Sequence, residues 1–101
     1  MTLTPLYSSA VQLDVEEYVE YFESQSDSVA DRFRVAIEQT VKMLCDSPGL
    51  GLRFHGDPSG QIRYRTISGF RNYLIFYRRV DDILEIVRVL HGAMDYETLF
   101  D

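Results

Sequence analysis

The side chains with chemistry to offer are few, and they gather late in the chain. His91 closes an apolar run and Tyr96 follows it shortly, while Arg63, Arg65 and Arg88 lie on stretches that could share its sheet. Together they could supply a base and cationic clamps around a phosphate. The competing reading makes His91 structural, closing its strand through a side-chain hydrogen bond. Sixteen carboxylates against ten basic residues favour that second reading, because a net charge of −6 weakens engagement of a polyanion.

Other chemistry is sparse. His55 stands in a Gly/Pro-rich stretch with no Cys or second His at ligand spacing, so no metal is expected. Gly49-x-Gly51 and Gly56-x-x-x-Gly60 lack the Lys-Ser/Thr ending and the strand-to-helix setting of a phosphate loop, and no cofactor is expected either. Glu16, Glu17 and Glu20 read as a solvated helix face before they read as paired carboxylates. Cys45, the one cysteine, rules out an internal disulfide and reads as a packed thiol.

The elements that must position these residues follow from pattern. Tyr73 to Tyr77 and Ile83 to Leu90, rich in aromatic and β-branched residues, flank Arg78-Arg79-Val80-Asp81-Asp82 and predict a β-hairpin. Leu74, Ile75 and Phe76 are consecutive, so both faces of these strands must be covered. One face meets helices; the other needs a second layer or a partner. Upstream, Leu3 to Tyr7 with Pro5 predicts an edge strand. Ser8-Ser9 then caps a helix striped by Val11, Val15, Tyr18, Val19 and Phe22, with Asp14, Glu16, Glu17 and Glu20 on its other side. Ser28 with Asp31 predicts the start of a second helix, striped by Val29, Phe33, Ala36, Ile37, Val41 and Leu44 and ended by Pro48-Gly49. Residues 46–61, with two prolines and four glycines, read as a long loop before a strand over Ile62 to Ile67. The expectation is an α+β fold in one domain over residues 1–101: strand, helical hairpin, then an antiparallel meander, β-α-α-β-β-β.

Length and charge bound the rest. A chain of 101 residues supports one modest core. It has no apolar segment of membrane-spanning length, and its opening MTLTPLYSSAVQLD lacks a basic, apolar leader, so a cytoplasmic protein without membrane contact is expected. Residues 11–31 hold seven acids and no base, whereas Arg53, Arg63, Arg65, Arg71, Arg78 and Arg79 face the single acid Asp57 before the turn. Such a polarised surface suits an acidic protein partner better than nucleic acid.

A strand reading EIVRVLHG, followed by Ala93-Met94-Asp95 and a Leu-Phe ending and preceded by NYLIFYR, resembles the ParE branch of the RelE/ParE toxin superfamily. The first-helix stretch AVQLDVEEYVEY, Ala30-Asp31-Arg32-Phe33, the helix exit through Ser47-Pro48-Gly49 and Arg63-Tyr64-Arg65 before Gly69 are similar to the family in order and spacing. The resemblance implies the toxin of a bacterial type II toxin–antitoxin pair, in a hetero-oligomer with a ParD-like antitoxin encoded beside it. It further implies a non-catalytic protein that poisons DNA gyrase. RelE-type relatives cleave mRNA on the ribosome instead, which would give His91, Arg65, Arg88 and Tyr96 catalytic roles; an inactive relative kept for antitoxin binding is a third reading. Many ParE-like chains have arginine where Met94 stands here. Target contacts are expected at His91, Met94 and Asp95. For the antitoxin, an apolar groove or an open strand edge is required. Leu3, Leu6, Tyr7, Tyr18, Tyr21 and Phe22 are the apolar candidates, and Arg63, Arg65, Arg78 and Arg88 the cationic ones.

Overall fold

The computed structural model describes residues 2–92. In chain order it comprises β1 (Thr4–Tyr7), α1 (Ser9–Glu23), α2 (Asp27–Asp46), a single 3-10 turn (Pro48–Leu50), β2 (Leu52–Arg53), β3 (Arg63–Ile67), β4 (Phe70–Val80) and β5 (Ile83–His91). One mixed sheet of order β1-β5-β4-β3-β2 results, with β1 parallel to β5 and all other pairs antiparallel. The α+β order expected from periodicity is present, with β2 added inside the stretch read as one loop.

Local chemistry sets the helix ends. Ser8 accepts the Val11 N–H on its side-chain oxygen and starts α1. The second helix starts earlier than Ser28: it begins at Asp27 behind Ser26, whose hydroxyl meets that of Ser28, and Asp31 is drawn to Arg34 instead of capping. The cause is a tight reversal, in which the N–H of Ser26 donates to Phe22 O and leaves no room for a longer polar break. The β4–β5 turn is likewise shorter than the expected five residues. Val80 pairs with Ile83 across Asp81-Asp82, and Asp81 takes the left-handed conformation such a two-residue turn demands (φ 54°).

Both sheet faces are covered in part by the chain itself. Val11, Val19, Phe22, Phe33, Ile37, Val41 and Leu44 from the helices bury Ile67, Ile75, Tyr77, Leu84, Ile86 and Val89. On the opposite face, Phe54 and Ile62 from the long connection pack on Leu74, Phe76 and Leu90. This connection is tied down: Phe54 N–H donates to Ile62 O, and Asp57 accepts from the amides of Ser59, Gln61 and Ile62. Those bonds, led by one from the Ser59 hydroxyl, hold the Asp57 carboxyl at about 2. Gly56 is required here because a Cβ would run into the Phe54 ring.

Candidate functional site

β1 pairs with only the first half of β5, from Thr4 opposite Ile83 to Tyr7 opposite Ile86. Beyond that point α1 takes the strand's place with side chains. Ser8 donates through its N–H to Ile86 O and through its hydroxyl to Val87 O. The Val89 N–H donates to Asp14 at 3.1 Å, and the His91 N–H donates to the Tyr18 hydroxyl at 3.0 Å. Four ladder positions are thereby satisfied without a strand.

Asp14 is the centre of this edge. Its two oxygens take the Arg88 fork at 2.7 and 2.8 Å, and its residue is 8% exposed. The expectation that Asp14 joins the solvated acids of α1 is therefore corrected: its partner lies 74 residues on, a distance no helical period can register. Glu16, Glu17 and Glu20 do face solvent. Donating to the Asp14 carboxylate raises the Arg88 pKa further above its already high ordinary value, so this guanidinium is a fixed charge.

The described residues of the alternative phosphate-chemistry reading each have partners of their own. Arg65 reaches Leu50 O beside β2, while Arg88 is held beside α1, at the other side of the sheet. The His91 ring stands edge-on to Tyr73 at 5.0 Å, and the strand-closing bond found at this residue comes from its backbone N–H. Tyr96, Met94 and Asp95 lie outside the described residues.

An open groove of about 370 Å³ runs between β1, α1 and α2. The half-buried Tyr7 and Val15 make its accessible floor, with the core residues Val11 and Ile37 beneath them, and Gln12, Glu16, Arg34 and Glu38 its rim. Burial, followed by Glu38, pushes the Tyr7 hydroxyl above its ordinary pKa and keeps it a neutral hydrogen-bonding group. Of the residues expected to meet a partner, Tyr7 lines this groove. Leu3 does not: it precedes β1, is 3% exposed and belongs to the core, with its N–H donating to Cys45 O. Leu6 is exposed on β1, and Tyr21 is exposed on α1 against Phe22. Tyr18 and Phe22 are packed into an aromatic stack with Phe33, Phe70 and Tyr73.

Each of the four expected cationic contacts has an intramolecular acceptor. Arg63 donates to Gly51 O at 2.8 Å and Arg65 to Leu50 O. Arg78 pairs with Glu85 and Arg88 with Asp14. Val11 and Ile37 fill the core as their stripes predict, but sequence reasoning missed Val15 as a groove residue, because a residue that floors a groove has the same spacing as one that fills a core.

Among the described residues no helix is long and apolar enough to cross a membrane, and no group of three or more His, Cys, Asp or Glu could hold a metal. The family model described as the ParE toxin of the type II toxin-antitoxin system, parDE, matches residues 6–96. A comparison with curated proteins returned no match.

Proposed function

Because the chain belongs to the ParE toxin family of type II toxin–antitoxin systems, we propose that it acts by binding and not by catalysis, with DNA gyrase as its target. A ParD-like antitoxin encoded in the same operon neutralises it in the cytoplasm. The observation that carries the antitoxin half of this reading is the groove between β1, α1 and α2, whose apolar floor is open and whose rim is polar. An amphipathic segment that folds on binding gains by burying its apolar face there, and that gain offsets the entropy of ordering it. Tyr7 and Val15 are half-buried before the partner arrives, so each loses little solubility while waiting and contributes when covered.

The non-catalytic half is supported by the commitments of the candidate residues. A clamp for a scissile phosphate must be free to meet it, whereas Arg88 already has its charge matched by the Asp14 carboxylate, which takes it bidentately. The test runs two assays side by side: supercoiling by purified gyrase, and RNA cleavage on translating ribosomes. Gyrase–DNA complexes stalled by the toxin and relieved by the antitoxin are the expected outcome. Ribosome-dependent cuts abolished by His91→Ala would replace the gyrase reading with an mRNA interferase. Val15→Glu, which puts a charge on the groove floor, is expected to weaken antitoxin binding at least about tenfold while leaving gyrase inhibition intact.

A further inference from the structure

At the edge of the sheet remote from the groove, three arginines of the basic stretch line one cleft. Arg53 on β2 stands directly opposite Arg63 on β3, and Arg63 stands directly opposite Tyr77 on β4. Arg79 follows Tyr77 by two residues on the same strand and therefore projects from the same face. These three side chains line one open cleft of about 360 Å³, beside Pro48-Gly49 and Gly60-Gln61, and no carboxylate lines it. Like charges placed directly opposite on neighbouring strands are destabilising. Among the described residues, none of the three guanidinium groups forms an ion pair with an acid: Arg63 is steadied by Gly51 O and Arg79 by Asp81 O, both backbone carbonyls. In a chain of net charge −6, an unneutralised cluster of this kind is a local inversion of the protein's own field.

We propose that this cleft binds a small polyvalent phosphate, of the pyrophosphate type, either free or as the terminal phosphates of a nucleotide. Arginines from three strands line this one space and together offer several forks to a group with several oxygens, whereas a single carboxylate would satisfy one fork. Base recognition is not provided for. The one aromatic residue in the lining, Tyr77, is 1% exposed, and its hydroxyl is occupied at once by donating to Pro48 O and accepting the Gly51 N–H. No aromatic face is offered on which a base could stack. Gly51 fixes this arrangement, because a Cβ there would overlap the Tyr77 hydroxyl. The cleft is independent of the groove proposed for the antitoxin, with which it shares no lining residue.

The test is calorimetric titration of the full chain with inorganic pyrophosphate and with ATP at fixed ionic strength. An acidic peptide and a short single-stranded oligonucleotide are titrated in parallel. Arg53→Gln and Arg79→Gln, both on exposed side chains, are compared with Arg71→Gln, an exposed arginine outside the cleft. Pyrophosphate is expected to bind, with affinity reduced about tenfold by each cleft variant and unchanged by Arg71→Gln. Arg53→Gln also removes the opposed pair, so without ligand it is expected to melt no lower than the parent; this separates lost binding from lost folding. Tighter binding of ATP than of pyrophosphate would identify a nucleotide, and equal binding a free phosphate. The proposal is overturned by silence up to roughly millimolar pyrophosphate, or by an equal loss in Arg71→Gln, which would mean diffuse charge. Preference for the peptide or for the oligonucleotide would equally overturn it and give the cleft to a macromolecule.

Discussion

Asp14 does three things with two oxygens: it forks Arg88, accepts the Val89 amide and keeps the outer edge of β5 from meeting another strand. Removing it leaves a guanidinium three-quarters covered with no acid and an amide with no acceptor, so Asp14→Ala is expected to cost about 2–4 kcal/mol in urea unfolding. Arg88→Leu in the same background should recover part of that loss, since much of it is the isolated charge. Single-variant losses below about 0.5 kcal/mol would instead mean a solvent-screened pair. Asp57 offers a test of opposite character. Its folded pKa of about 2 lies below the ordinary 3.8, so what it contributes to the loop is fully present above pH 3.8 and is lost as the pH falls through about 2. Asp57→Asn should flatten the acid limb of a stability–pH curve over that window, and an unchanged limb would show that other carboxylates set it. Neither role was legible locally: Asp14 reads as one acid among five on α1, and Asp57 as a polar residue beside a proline. What distinguishes each is a set of partners that only the fold, or a tight turn, brings to it.

The elements divide by how strongly their patterns are written. The β4–β5 hairpin announces itself through Tyr73 to Tyr77 and Ile83 to Leu90, and both helices through apolar stripes, because burial against a layer imposes a period of two or of 3.6. β2 could not be read, since two residues have no period. The second layer was hidden for a related reason: Phe54 stands in a Gly/Pro-rich run and Ile62 reads as the first residue of a strand, yet the two close over Leu74, Phe76 and Leu90. That role gives a sharp expectation. Phe54→Ala should uncover this face, cost about 3 kcal/mol, and speed hydrogen exchange at the amides of β4 more than at those of α2. Equal changes in both elements would mean that the loop stabilises the molecule globally and is not a local cover. The groove shows the converse limit. Val15 was visible as an apolar position, but only the spacing between α1 and α2 reveals that it floors an opening.

At the scale of the molecule, both ends of the sheet are short: β1 has four residues and β2 two, so neither offers a long template for uncontrolled strand addition. The groove lies beside one end and the arginine cleft beside the other. The parallel pairing of β1 with β5 has a mechanical corollary. Traction on the chain before Thr4 and after His91 draws the two strands in opposite directions along their length, which loads all their hydrogen bonds together in shear. Gripped instead at Thr4 and at the Asp81 turn, which sit at the same end of the pair, those bonds would be peeled one at a time. Single-molecule pulling should therefore find a higher rupture force between the two ends than between the first strand and the turn; equal forces would show that another contact yields first. A threading protease that seizes the toxin by one end while the other is anchored pulls on this pair along the strands, the direction in which its bonds share the load.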